Sequence, residues 1–291
     1  MDLEPLFSEL KSISSSGFLK LLERSEELLK SERRGSGGLR VKGGCVELPK
    51  ERVVVVGDIH GDLESLKALL ERVYPLDGYL LFLGDYGDRG EYPVEVYYLI
   101  LRLKEELPDR VVVMRGNHEG PRDLPFYPWD LPWQFEARFG AGAEEILEAL
   151  RRLWDSMYHM SLMPGSFVAV HGGAPTEARS MDDLLYADSK HPRESHLGEM
   201  LWNDPAEIRG RLPSPRGYGW LFGSDITERI LSMTGTRLLV RSHEPCEGFR
   251  LNHAGRVLTI FSSKRPYGLS RGAYLEFGPE LESPLDGIRF F

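Results

Sequence analysis

The sequence predicts an α/β fold: a parallel sheet with helical crossovers, followed by a second sheet. Three observations carry this. Apolar, β-branched runs alternate with helical stretches between residues 52 and 120. Those runs are continuous rather than alternating, as in strands buried on both faces. Apolar runs then return at closer spacing after residue 165.

Residues 1–32 place Phe18, Leu19, Leu21, Leu22, Leu28 and Leu29 at helical spacing, so a helical segment opens the chain. RRGSGGLRVKGG (33–44) breaks helix and reads as a loop joining that segment to the core. RVVVVGDIHG (52–61) is the first strand of the rhythm and LESLKALLERV (63–73) its helix. GYLLFLGDYGD (78–88) is the next strand, and PVEVYYLILRLKEEL (93–107) the next helix, with Pro93 suited to the first turn. RVVVMRGNHEG (110–120) is the third strand. Such β-α-β-α-β order implies right-handed crossovers. The segment LPFYPWDLPWQF (124–135) reads as a loop on its prolines and aromatics, and AEEILEALRRLWDSMYHM (143–160) as helical. SFVAVHGG (166–173), TRLLVRSHE (236–244), RVLTIFSS (256–263) and GAYLEF (272–277) read as strands of a second, more antiparallel sheet. No stretch resembles a linker. One domain is expected, with residues 1–44 packed on a catalytic region at 45–291.

Composition is that of a globular chain, 41% hydrophobic and 28% charged. The net charge of -9 argues against broad binding to nucleic acid or anionic membrane. Cys45 and Cys246 make no disulfide framework and no CxxC zinc pattern, which fits a reducing compartment. The N-terminus has no apolar signal-peptide region, and no apolar run approaches a membrane span, so a cytoplasmic location is expected.

The strand ends carry the chemistry. GDIHG delivers Asp58 and His60; GDYGDRG delivers Asp85, Asp88 and Arg89; RGNHE delivers Arg115, Asn117 and His118; HGG and RSHE deliver His171 and His243. In parallel α/β sheets, ligand sites lie at the carboxyl ends of strands, so five distant segments converge on one edge. Carboxylate oxygens and imidazole nitrogens together suit manganese, iron or zinc. Two sets can be drawn: Asp58, His60 and Asp85 for one metal, and Asp85, Asn117, His171 and His243 for a second, with Asp85 shared. Two metals held so closely are a device for hydrolysing phosphate esters, in which a water between them is acidified and attacks phosphorus directly. Arg89 can grip a phosphate bidentately. His118, hydrogen-bonded to Asp88, is the expected general acid that protonates the leaving oxygen.

GDIHG, GDYGDRG, RGNHE and HGG, in this order and spacing, resemble the phosphoprotein phosphatase family of metallophosphoesterases, which contains the calcineurin-type serine/threonine phosphatases. The resemblance spans roughly residues 50–270 and extends to LWNDP (201–205), PRGYGWLFG (215–223) and FSS (261–263). It implies a four-layer α-β-β-α sandwich, a phosphorylated protein or peptide as substrate, and Arg216 as a second phosphate-binding arginine beside Arg89 and Asn117. Manganese is the expected activator in vitro, with iron and zinc as the native pair. Two positions depart from the pattern. Gly87 stands where the family usually has Val. In SSKRPYG (262–268), aligned on Gly268, the family's tyrosine position is Pro266, with Tyr267 one place later.

A dinucleoside polyphosphate hydrolase of the same superfamily is the nearest rival, but those enzymes usually have Ala at Asp88 and lack Arg115. A nuclease fits Arg89 and Arg216 less well, and a scaffold without catalysis would have lost ligands. His159, His191, His196 and His253 read as surface or structural, and Cys246 as a small core residue. Arg115 reads as a prop, and Trp202 and Asp204 as support on the His171 side. The 124–135 loop is either a wall of the cleft or core packing.

Overall fold

The computed structural model describes residues 3–278 and 284–291. Its helices are α1 (Leu3–Glu9), α2 (Ser15–Arg33), α3 (Leu63–Val73), α4 (Pro93–Glu106), α5 (Leu131–Phe139) and α6 (Ala143–Ser156), then α7 (Met181–Leu185), α8 (Ala187–Lys190), α9 (His196–Trp202) and α10 (Ser224–Thr234). The strands are β1 (Arg40–Lys42), β2 (Cys45–Glu47), β3 (Val53–Val56), β4 (Tyr79–Phe82), β5 (Val111–Val113), β6 (Met160–Met163) and β7 (Phe167–Ala169). They continue with β8 (Asp204–Pro205), β9 (Arg211–Pro213), β10 (Trp220–Phe222), β11 (Leu238–Arg241), β12 (Phe249–Asn252), β13 (Val257–Ile260), β14 (Ala273–Phe277) and β15 (Ile288–Phe290).

β3, β4 and β5 pair in parallel, Val56 opposite Phe82 and Phe82 opposite Val113. The expected β-α-β-α-β unit is therefore present. All four valines of β3 are fully buried, each worth roughly 1.5–3 kcal/mol of burial. A second sheet runs β1-β2-β6-β7-β11-β13-β12, and a small third one runs β8-β10-β9. Alternation along the second sheet defines the layers. Phe167, Ala169, Leu238, Val240, Leu258 and Ile260 join one core with β3, β4 and β5. Val168, Leu239 and Val257 face the other way, onto Met200 and Leu201 of α9 and Ile226 and Ile230 of α10. With α2, α4 and α6 in the first core, the order is helices, sheet, sheet, helices: the four-layer sandwich.

Four expectations are corrected. The Gly-rich 33–44 segment contains β1, a short edge strand paired with β2 and too polar to read as one. The 124–135 segment is a loop only to Asp130; α5 starts at Leu131, with its proline inside the first turn, where a missing N–H costs nothing. β14 belongs to the first sheet, antiparallel to β3 with Tyr274 opposite Val56. The second sheet is mixed: β7, β11 and β13 at its centre are parallel. β1 is hidden by its polarity, the start of α5 by its proline, and the two sheet assignments by strand partners distant in sequence.

The two sheets are stitched together where the site lies. Gly57 N–H donates to Ser262 Oγ at 2.9 Å and Asp58 N–H to Ser242 Oγ at 2.9 Å. Asp58 also bridges in parallel to Phe261, beyond β13.

Candidate active site

The carboxyl ends of β3, β4, β5, β7 and β11 bring the predicted residues together. Asp58, His60, Asp85, Asp88, Asn117, His118, His171 and His243 are all at most 5% exposed. Burying this much charge requires compensation, and the hydrogen bonds show how it is supplied. Asp85 Oδ1 accepts His118 N–H at 3.0 Å, and Asp58 Oδ1 accepts His243 N–H at 3.1 Å. Glu119 is also buried; its carboxylate accepts the N–H groups of Asp85, Tyr86 and Gly116 and the Tyr97 hydroxyl. His60, Asp85, Asp88, Arg89 and His243 are held at φ between 47° and 70°, a left-handed conformation that non-glycine residues disfavour. Among the described residues, only His253 and Ala254 are other non-glycine examples. Strain is thus gathered at the strand ends.

Four histidines are oriented alike. His60 Nδ1 donates to Gly87 O at 2.9 Å, His171 Nδ1 to Leu83 O at 3.0 Å, His118 Nδ1 to Asp88 Oδ2 at 2.8 Å and His243 Nδ1 to Asp204 Oδ1 at 2.9 Å. Each outer bond fixes the ring and leaves Nε2 for the interior, as a metal-binding imidazole requires. Asp85 Oδ2 lies 3.3 Å from His60 Nε2, 3.5 Å from His171 Nε2 and 3.9 Å from His118 Nε2. His60 Nε2 is 3.5 Å from Asp58 Oδ2, and His171 Nε2 is 3.1 Å from Asn117 Oδ1.

The electrostatics match. Burial would raise the carboxyl of Asp85, but His171 and His118 beside it hold it well below the usual range. Asp58 is likewise lowered against burial, by His60 and His171. Burial opposes charge on His60 and His171, yet Tyr267 with Asp58 and Asp85 raises His60, and Asp85 with Asp58 raises His171. His243 differs: burial pushes it down to about 4 despite Asp204. It is neutral at pH 7, and among the described residues its buried Nε2 has no hydrogen-bond partner. A bare, inward-facing lone pair is what a ligand imidazole presents.

These donors fit divalent metal. Asp58, Asp85 and His171 form one compact group able to hold an ion, and His60, Asp85 and His118 another; the two share Asp85. His243 lies outside both groups, with its ring 5.2 Å from that of His171. Gly116 leaves the space that Asp85 needs, since a Cβ there would overlap Asp85 Oδ1.

Two guanidinium groups flank the cluster. Arg216 Nε donates to Asp204 Oδ2 at 2.6 Å, and Arg89 Nη1 donates to Pro128 O at 2.6 Å. Both line a cleft of about 710 Å³ with His60, Asp85, Asn117 and His118. The aromatic segment walls this cleft: Phe126 and Tyr127 line it, and the Phe126 ring lies 3.9 Å from that of His118. Tyr267 also lines it, 5.5 Å from the His60 ring. Gly87 fits its surroundings, because a Cβ would press on Leu131 and Tyr97.

Asp204 and Trp202 support His243 rather than the His171 side. Asp204 binds His243, Arg216 and Arg241 together, and the Trp202 ring is 5.9 Å from His243. Arg115 donates to Glu119 O from Nε and Nη2 and meets Asp155 at 3.3 Å, a prop as expected. His159, His191, His196 and His253 lie outside the cluster: His159 Nε2 donates to Leu184 O and His253 Nε2 to Ala206 O, with Thr227 Oγ1 donating to His253 Nδ1, while His191 pairs with Asp123 and His196 with Glu194. Glu119 ends the RGNHE motif, which is the signal that marks it, whereas no motif surrounds Asp130.

The family model for calcineurin-like phosphoesterases matches residues 51–247. The chain belongs to that family. Within the calcineurin-like phosphoesterases it stands with the phosphoprotein phosphatases. It is 33% identical over 234 residues to a protein of Encephalitozoon cuniculi named probable serine/threonine-protein phosphatase, covering 78% of this chain and 50% of that one. It is 32% identical over 217 residues to serine/threonine-protein phosphatase PP1-1 of Saccharomyces cerevisiae, covering 72% of this chain and 68% of that protein. The chain thus spans half the length of the first relative and about two thirds of the second. Its fold matches a solved Saccharomyces cerevisiae serine/threonine phosphatase with similarity to human phosphatase PP5, with a TM-score of 0.82 at 24% identity over 99% of this chain and 92% of that one. Among the described residues, no helix is long and apolar enough to cross a membrane.

Proposed function

We propose that this protein is a metal-dependent phosphoprotein phosphatase acting on phosphoserine and phosphothreonine. The observation that carries the reading is the buried His118–Asp88 pair, joined at 2.8 Å beside a cluster of carboxylates and inward-facing imidazoles. The relatives named serine/threonine phosphatases supply the substrate class.

Asp58, His60 and Asp85 would hold one divalent ion, and Asp85, Asn117 and His171 the other, with the unpartnered Nε2 of His243 as a further donor on that side. Divalent ions held there would supply charge neutralisation at the phosphate oxygens and a water of lowered pKa as nucleophile. The chain's own groups do the rest. Arg89 and Arg216 grip the phosphate; each is anchored through one nitrogen to a partner and has other N–H groups to offer. Asn117 contributes its side-chain amide. Asp88 accepts the Nδ1 proton of His118 and stabilises the imidazolium, and Nε2 gives its proton to the leaving oxygen. The phosphoryl group passes directly to water, without a phosphorylated side chain. Manganese activates in vitro, with iron and zinc as the native pair; the protein works in the cytoplasm. Residues 45–291 form the catalytic region and 1–44 a segment packed on it, in one domain.

The test is phosphate release by chelator-stripped protein with and without Mn²⁺, on phosphoserine, phosphothreonine and phosphotyrosine peptides and on diadenosine tetraphosphate. Manganese-dependent release from the phosphoserine and phosphothreonine peptides is expected. Cleavage of the dinucleotide alone would replace the reading with nucleotide hydrolysis, and no turnover by metal-loaded protein would leave a binding scaffold.

A further inference from the structure

The Asp88–Arg89 dipeptide is the most strained part of the site. Two successive non-glycine residues sit in the left-handed region, at φ 60° and 67°. Such residues persist only where their surroundings over-determine them. Here one residue does so from both sides. Asp130 N–H donates to Asp88 Oδ1 at 2.6 Å, and the Asp130 carboxylate accepts Arg89 N–H at 3.0 Å through Oδ2. The same Oδ2 lies 3.5 Å from Arg89 Nη1, which also donates to Pro128 O at 2.6 Å. Leu131 N–H adds a second bond to Asp88 Oδ1 at 3.0 Å. Asp88 keeps its other oxygen for His118.

The geometry points to Asp130 as a positioning residue for the phosphate-binding arginine. It does not line the cleft. Its carboxylate fixes the backbone of Arg89 and holds one end of the guanidinium. Nε and Nη2 of Arg89 have no partner among the described residues and stay available to a phosphate. The division of labour within residue 130 is specific. Its backbone N–H serves the acid pair through Asp88, and its side chain serves Arg89. Removing the side chain therefore loosens phosphate binding and leaves the His118–Asp88 pair in place. This inference rests on the assignment of Arg89 as a phosphate ligand.

The experiment measures kcat and KM on a phosphoserine peptide, and inhibition by inorganic phosphate, for the metal-loaded enzyme and its variants. Asp130→Ala is expected to raise KM and the phosphate inhibition constant about tenfold, the scale of one lost charge-assisted hydrogen bond. Its kcat is expected to stay within threefold of wild type. Asp130→Asn keeps an acceptor for Arg89 N–H and is expected to recover most of the loss. In an Arg89→Ala background, Asp130→Ala is expected to add nothing, because the two act as one unit. Phosphate inhibition and KM unchanged in Asp130→Ala would overturn the inference, as would an equal loss in the Arg89→Ala background, which a merely structural role at the start of α5 would give. If Arg89→Ala itself left KM and phosphate inhibition unchanged, the assignment of Arg89 would fail first, a result distinct from failure of Asp130 alone.

Discussion

Replacing His118 by Asn removes the proposed proton donor and little else. His118 is 5% exposed and Asp88 fully buried, so the ring is held in place by its bond to Asp88 and presents only its Nε2 edge to the cleft. General acid catalysis is worth roughly 10²–10⁴-fold, or about 2.7–5.5 kcal/mol of barrier. With the acid enclosed under Phe126, whose ring is 3.9 Å away, the loss should fall in the upper half of that range. On a phosphoserine peptide, kcat is expected to drop by about 10³ or more. On p-nitrophenyl phosphate the drop should be below about tenfold, because nitrophenolate leaves without a proton. Metal content, measured on the same preparation, should be unchanged. His118 Nε2 lies only 3.9 Å from Asp85 Oδ2, so the alternative role of ligand is sterically open and the metal count separates the two. Wild-type kcat on the peptide would refute the acid assignment. Loss of metal along with activity would refute it as well, by making His118 a ligand.

Other outcomes follow from the same structure. Gly116→Ala would drive a methyl group into Asp85 Oδ1; metal affinity and phosphate release should both collapse while far-UV circular dichroism stays native. Glu32→Ala would leave the Lys104 ammonium without the carboxylate now 2.6 Å away, fully buried and, among the described residues, with Pro108 O and Val111 O as its remaining partners. Breaking a buried pair from one side costs about 3–5 kcal/mol, which urea denaturation would read as a lower midpoint; an unchanged midpoint would mean that α2 is not part of the cooperative core. His159 gives a pH dependence. Burial pushes its imidazole below the ordinary value of 6.5, with Arg33 and Arg115 acting the same way and Asp188 and Leu184 O opposing. A base lowered in the folded state binds fewer protons there, so its stability contribution is complete above 6.5 and is lost as pH falls below it. His159→Gln should flatten the acid limb of a melting-temperature profile below that pH, and an unaltered limb would contradict the assignment.

The catalytic half of the fold was legible because strands buried on both faces announce themselves as runs such as Val53–Val56, and because each run ends in a residue with chemistry. The convergence of Asp58, Asp85, Asn117, His118, His171 and His243 followed from where parallel strands end. What escaped depended on pairing across the chain. β14 reaches β3 over some two hundred residues, and nothing in GAYLEF names its partner. β1 is too short and polar to show a pattern. Pro132 disguised the start of α5 as loop. Asp204 supports His243 rather than the His171 side through a bond spanning 39 residues, which no local pattern signals. Asp130 went unremarked because its tie to Arg89 spans 41, and an aspartate after Trp129 looks like any turn residue.

Asp85 belongs to both candidate metal groups, and the number of ions bound per chain shows whether two would share it. Stripped wild-type protein and Asp85→Asn would be loaded with Mn²⁺, freed of excess ion, and analysed for metal per chain. Two ions per wild-type chain are expected, and none retained by Asp85→Asn. A single ion in the wild type, or undiminished binding in Asp85→Asn, would contradict the account.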